Sequence, residues 1–440
     1  MTSKQGVFGA GRRAALALVL VAPSGLVAGP AFADATLDAC AAEAASQYEP
    51  GYESSGRDLG GIDTAAAITA CEKAVKADDS AINAKAWLAR AYFANGDKDK
   101  AVPLFEEAAA AGNPLAQSIL GDMLITGDAV SKDMERGAQL LDQAANSGFA
   151  PAQNSLGLSY DFGEGVAQDY GMAARWYLSA AQQGMPRAQS NIGLMYQEGL
   201  GVMQDYAAAG AWFERAAAQG DASGQTNLGK LLQDGLGVEV DMARAADLYG
   251  KAADQGDMYG QNNLGFLKET GQGIEEDLTG AAELYQKAAD QGMALAQHNL
   301  ALLYEDGRGV TQDYAKAMEL YEQAANGGEM RAAVNLGLMY LDGRGTTADY
   351  ELGLKWTQMA ADANHPIGQN NMGHIYENGL GVTASRDEAL RWYQLSADQG
   401  YQLGLDNLER LKADTSMPAA TDAPASTPAP SGKKGDKLAN

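Results

Sequence analysis

NIGLMYQEGLGVMQDYAAAGAWFERAAAQG, residues 191–220, decides how this chain folds, because its pieces return every 36 residues. The glycine in its third place recurs at Gly121, Gly157, Gly193, Gly229, Gly265, Gly337 and Gly373, and Ala301 stands in the remaining copy. A period of this length marks a solenoid, in which each unit is a small helical or stranded element whose apolar face is covered only by its neighbours. Such a chain presents a long stacked surface, so binding rather than chemistry is the first expectation.

Each unit encodes a helix pair. In the copy RAAVNLGLMYLDGRGTTADYELGLKWTQMAADANH, residues 331–365, Leu336, Gly337 and Tyr340 fall on one face of a first helix. Gly343 and Gly345 then end it, since a residue of positive φ just past a helix terminus costs least as glycine. Asp349 supplies a capping oxygen to the second helix. The same place holds Asp133, Asp169, Asp205, Asp241, Asp277, Asp313 and Ser385. Small residues at Ala180, Ala216, Ala252, Ala288, Ala324 and Ala360 allow close helix approach, with Trp176, Trp212, Trp356 and Trp392 expected to fill wider gaps.

The string NLG-x-M-Y-x-x-G-x-G-V followed by D-Y-x-x-A-x-x-W-Y-x-x-A-A-x-Q-G resembles the Sel1-like repeat, an α-helical relative of the tetratricopeptide repeat. The resemblance implies an all-α, right-handed superhelical solenoid of stacked helix pairs, with eight such repeats over 114–401. It also implies a scaffold or adaptor of the exported proteobacterial type rather than an enzyme. Residues 80–113, with Leu88, Ala89, Tyr92, Ala101, Phe105 and Ala108, have the spacing of a plain tetratricopeptide-like unit. Residues 402–413 form an amphipathic closing helix.

The flanking segments bear on location. Lys4, Arg12 and Arg13 precede an apolar run, Ala14–Ala22, and the small residues of Ala31-Phe32-Ala33, so residues 1–33 read as a cleavable secretory signal. Residues 414–440, rich in Pro, Ala, Ser and Thr, hold too few large apolar groups to build a core and are expected to be disordered. Residues 34–79 read as a helical hairpin around a glycine-rich linker. Its Cys40 and Cys71, the chain's two cysteines, are expected to pair if the protein is exported.

The net charge is −25. Lys4, Arg12 and Arg13 are the only charges before residue 34, so without them it becomes −28, and the tail beyond Lys412 is neutral. An acidic solenoid repels nucleic acid and anionic lipid and favours basic partners; the same charge also keeps it soluble. By the resemblance, the first helix of each unit lines a groove. Its fifth place would put short polar groups, among them Asn154, Asn262, His298 and Asn370, on the floor. Its twelfth and thirteenth places would put carboxylates, among them Glu269, Glu305, Asp306 and Glu377, along a wall. These residues are the candidate site for a protein or peptide partner, with the acids expected to face solvent.

A column of amides at Asn191, Asn227, Asn263, Asn299, Asn335 and Asn371 accompanies glutamines two residues earlier, at Gln153, Gln189, Gln225, Gln261, Gln297 and Gln369. Such a ladder either holds the backbone of an extended peptide or fixes the repeat's own loops. No cofactor or metal set is expected: His298 and His374 lie two units apart, and the G-x-G loops follow helices rather than strands. The function expected is that of an exported scaffold, periplasmic or extracellular, binding a protein partner without inserting into a membrane. Two alternatives stand beside it: a periplasmic regulator that holds the external domain of a membrane sensor kinase, and a hydrolase of β-lactams or cell-wall material. The latter fits poorly, because cysteine-paired repeats are linked to that activity and these repeats have no cysteine.

Overall fold

The structure, a computed structural model, describes residues 35–414. The expected export signal and the tail beyond Asp414 lie outside them. Among the described residues there are 21 helices and no strand, apart from an isolated bridge between Ser46 and Arg57. The chain opens with α1 (Ala35–Ala44), α2 (Thr64–Ala77), α3 (Ile82–Ala94) and α4 (Lys98–Ala110). Eight pairs of 13-residue helices follow. The first four are α5 (Pro114–Thr126) with α6 (Met134–Asn146), α7 (Ala150–Phe162) with α8 (Tyr170–Gln182), α9 (Pro186–Glu198) with α10 (Tyr206–Ala218), and α11 (Ala222–Asp234) with α12 (Met242–Asp254). The last four are α13 (Met258–Thr270) with α14 (Leu278–Asp290), α15 (Ala294–Asp306) with α16 (Tyr314–Asn326), α17 (Met330–Asp342) with α18 (Tyr350–Asp362), and α19 (Pro366–Asn378) with α20 (Arg386–Asp398). The helix α21 (Gln402–Ala413) closes the stack. Each helix packs on the next in sequence, and first helices of successive units, such as α9, α11 and α13, also touch.

The local reasons are those the repeat dictates. Every first helix of the eight pairs ends on a left-handed glycine, for example Gly343 at φ 67°, with Gly345 at φ 78° two residues on. Every second helix is capped by the expected side chain. Asp349 accepts from the Leu352 N–H, and Ser385 from that of Glu388. The motif glycine is explained by what lies against it. A Cβ on Gly157, Gly193, Gly229, Gly265 or Gly373 would stand within 3 Å of the ring of Tyr177, Phe213, Tyr249, Tyr285 or Tyr393, respectively.

That contact corrects one expectation. The rings that fill most units are Tyr177, Phe213, Tyr249, Tyr285, Tyr321 and Tyr393, all essentially buried, and of the four repeat tryptophans Trp356 and Trp392 are buried as expected. Trp176 and Trp212 are only partly buried. Burying such a ring fully is worth on the order of 2–3 kcal/mol. The predicted small column is also buried, Ala180 through Ala360 having no exposure.

At the N-terminal end Cys40 and Cys71 form a disulfide between α1 and α2, with Cα atoms 4.5 Å apart. The linker between these helices is fastened to α3. The Arg90 guanidinium donates to the carbonyls of Ala44 (2.8 Å) and Arg57 (2.6 Å), and the Trp87 indole N–H donates to the Glu49 carboxylate. Burial raises the Glu49 carboxyl despite its hydrogen bonds from Ser46 and Trp87. This hairpin therefore covers the apolar end of α3 as a cap.

Candidate functional site

The first helix of each unit has two sides with different fates. Its fifth place faces the neighbouring unit. Asn154, Asn262, His298 and Asn370 are all buried, with His298 3% exposed. Asn191, Asn299 and Asn407 each donate, from the next unit, to the Oδ1 of Asn154, Asn262 and Asn370, at 2.9–3.1 Å. Ser190 and Thr226 bond the capping carboxylates Asp221 and Asp257 of the next first helix. These residues therefore join units and do not floor an open groove, which corrects their expected accessibility. His298 is the variant: its ring lies 5.7 Å from that of Tyr321, and its Nδ1 is buried without a partner. Burial, with Arg331 beside it, lowers its pKa to about 4.

The twelfth place is also internal. The hydroxyls of Tyr177, Tyr249, Tyr285, Tyr321 and Tyr393 donate to Asp161, Gln233, Glu269, Glu305 and Glu377, each sixteen residues earlier, at 2.7–3.1 Å. In three of these pairs an arginine from the following unit or cap completes the carboxylate: Arg308 on Glu269, Arg344 on Glu305 and Arg410 on Glu377. Glu305 is 5% exposed, so the carboxylate wall is a set of charged joints rather than a solvated face. Burial alone would raise the Glu377 carboxyl, but Arg410 and Tyr393 hold it below its ordinary value. Burial, and then the neighbouring Glu305, push the Tyr321 hydroxyl far up. Asp306, in the thirteenth place, remains at the surface beside Arg308.

The tyrosines and arginines of these joints escaped the sequence reading, although a pattern marks them. Where the tyrosine place shrinks, the acceptor goes too: Ile125 with Leu141 and Leu341 with Thr357, while Phe213 faces a glutamine, Gln197. The glutamine column is likewise framework. Gln153 and Gln189 donate to the carbonyls of Ala145 and Ala181, at the end of the preceding second helix. They accept from Gln183 and Gln219 at the end of their own unit's. Each thus adds a side-chain donor to a carbonyl of the last helical turn, which also accepts from the N–H of Gly148 or Gly184.

What remains exposed on the first helices is a strip at places two, six, nine and thirteen, a spacing that keeps one face. The asparagine column runs along its middle, half-buried at Asn191, Asn227, Asn263, Asn335 and Asn371. Rows of apolar residues, broken by polar ones, flank it. One holds Leu158, Leu194, Phe266, Leu302 and Leu338, interrupted by Lys230 and His374; the other mixes Tyr259 (53% exposed), Leu295 and Ile367 with Arg187, Ser223 and Arg331. No group of three or more potential metal ligands occurs among the described residues. No helix among them is long and apolar enough to cross a membrane.

A stack of this kind, built from one repeated helix pair, defines an α-solenoid scaffold. The sequence model of the Sel1 repeat matches nine consecutive stretches: 82–113, 114–149, 150–185, 186–221, 222–257, 259–293, 294–329, 331–365 and 366–401. The chain belongs to the Sel1 repeat family, whose fold is a typically protein-binding scaffold. The first of the nine stretches is the segment that reads as a plain tetratricopeptide-like unit. Among solved structures the chain is similar to a protective antigen of uropathogenic Escherichia coli strains, with 38% identity and a TM-score of 0.58 over 70% of this chain. It spans 66% of that antigen's own length, just under two thirds. A Sel1 repeat protein from Oxalobacter formigenes is 30% identical, with a TM-score of 0.51, over 56% of this chain and 96% of that one. Among curated proteins, none matches.

Proposed function

We propose that this protein is an exported scaffold that holds a protein or peptide partner along the exposed strip of its first helices. The observation that carries the proposal is the asparagine column lying between two interrupted apolar rows over successive units. The flanking rows give a partner's side chains apolar surface, and the amides between them, which also serve the joints at Asn191, Asn263 and Asn371, offer its backbone their remaining hydrogen-bonding capacity. Surface acids in the thirteenth place, Glu198, Asp234, Asp306 and Asp342, edge the strip and favour a basic partner. Export is supported by the basic and apolar pattern of residues 1–33 and by the Cys40–Cys71 disulfide, a bond that persists in oxidising compartments.

Site-specific photo-crosslinking in the native host tests the proposal. A benzoylphenylalanine at Leu302 or Leu338 is expected to capture the same partner, and one at Lys287, exposed on α14, is expected to capture none. Identical adducts from both faces, or none from the first-helix strip, would overturn it.

A further inference from the structure

Two neighbouring units combine two features that occur only singly in the others. In three units a glutamine of the loop, Gln168, Gln204 or Gln312, donates both to the carbonyl at the twelfth place and to the hydroxyl of Tyr170, Tyr206 or Tyr314, clasping the loop to its own unit. In the units beginning at Ala222 and Met258 those two places hold Val240 with Met242, and Glu276 with Leu278, so this clasp is not formed. On the preceding second helices, Gly210 and Ala246 stand where Met318, Leu354 and Leu390 pack partly buried on the core of later units; Ala138, Ala174 and Ala282 are as small, but the loop of the unit that follows each of these carries the clasp.

The consequence is a pair of open clefts at equivalent positions one repeat apart. The first, about 500 Å³, has Gly210, Leu228, Leu232 and Val238 on its walls and Glu239 at its rim, with Arg244 neutralised by Glu214. The second, about 710 Å³, has Ala246, Leu264 and Ile274 on its walls and Asp247, Glu275 and Glu276 at its rim, with Lys268 neutralised by Asp277. Val240 is 59% exposed at the mouth of the first, and Met203, on the preceding loop, is 88% exposed. Glu239, Glu275 and Glu276 are exposed. Framework residues repeat along a solenoid, whereas residues that read a ligand differ from unit to unit. Here a missing clasp and a small second-helix residue coincide, and among the eight pairs they do so only in these two units, opening apolar space with carboxylates at its rim.

We infer that these two clefts form a second docking surface, on the second-helix and loop side of the stack, for a cationic amphipathic polypeptide segment. Two of its apolar side chains enter the clefts, and its lysines or arginines meet Glu239, Glu275 and Glu276. The charge of −25 on the chain selects a basic segment over an acidic one. This surface is separate from the first-helix strip and stands or falls without it.

The test uses the full chain and a fluorescent 14-residue peptide of leucine and lysine at helical spacing, with a leucine–glutamate counterpart. The lysine peptide is expected to bind and the glutamate peptide not to. Filling the clefts by Gly210→Met with Ala246→Met, side chains that place accepts in Met318, should weaken binding at least about tenfold, the loss of one buried apolar side chain. Because that variant alters packing, Glu275→Gln with Glu276→Gln provides a rim change that leaves the core alone; it should weaken binding and flatten its salt dependence. Glu351→Gln with Asp387→Asn, two exposed acids on α18 and α20 away from both surfaces, should change nothing. Failure of the lysine peptide to bind, equal binding by the filled variant, or an equal loss from the Glu351 and Asp387 changes would each overturn the inference.

Discussion

The hydroxyl of Tyr321 donates to Glu305 across 2.7 Å, and the other oxygen of that carboxylate takes Arg344 of the next unit. One buried carboxylate thus joins the core of its own unit to the loop of its neighbour. Breaking such a pair leaves a buried charge or hydroxyl without a partner, at a cost of about 3 kcal/mol. Glu305→Ala is expected to destabilise the array by that order in urea unfolding. In a double-mutant cycle with Tyr321→Phe, the two changes should couple by about 1–3 kcal/mol. Additive losses would show that the pair does not act together.

His298 sets a pH dependence whose sign follows from its environment. Its folded pKa of about 4 lies below the ordinary 6.5, so the unfolded chain binds its proton first as pH falls. Its contribution is fully present above about pH 6.5 and is lost progressively down to about pH 4, amounting to about 3 kcal/mol. His298→Asn, the residue found at Asn154, Asn262 and Asn370, should remove that component. Stability curves of the two proteins between pH 4 and 7 should differ in slope; parallel curves would refute it.

Reducing the Cys40–Cys71 disulfide should loosen the N-terminal cap by about 3–4 kcal/mol on the chain-entropy account. Hydrogen exchange should accelerate in α1 and α2 and in the linker held by Arg90. The denatured, unreduced protein should titrate with no free thiol, and two reactive thiols would contradict the pairing.

Replacing Gly229 by leucine forces a side chain into the ring of Tyr249, which a Cβ alone would approach to 2.7 Å. Because units are covered by their neighbours, protection should fall across 186–293 rather than in one unit. Exchange confined to 222–257 would be the contrary result.

The periodic glycine, the paired loop glycines and the capping aspartates were legible because each is a local requirement: positive φ beyond a terminus, an oxygen before one. The disulfide followed from cysteine count and the expectation of export. The candidate groove was less legible. A fifth-place asparagine and a twelfth-place glutamate look like surface polar groups in a linear string, and nothing local to Glu305 reveals that Tyr321 and Arg344 close over it from sixteen and thirty-nine residues away. Burial of a polar group is a property of the stacked joint. Only the joint changes to Ile125 with Leu141 and to Leu341 with Thr357 leave a trace of it in the sequence.

The glutamine bonds between Gln153 and Gln183, Gln189 and Gln219, and Gln225 and Gln255 all span thirty residues, and those between Asn154 and Asn191 and between Asn262 and Asn299 span thirty-seven. A gene duplication or deletion of 36 codons inside the array would hand each of these groups an equivalent partner. An insertion of one or two residues within a helix would orphan several at once. Lineages carrying this protein are therefore free to lengthen or shorten it, but only in whole repeats, and its reach toward a partner evolves in steps rather than continuously.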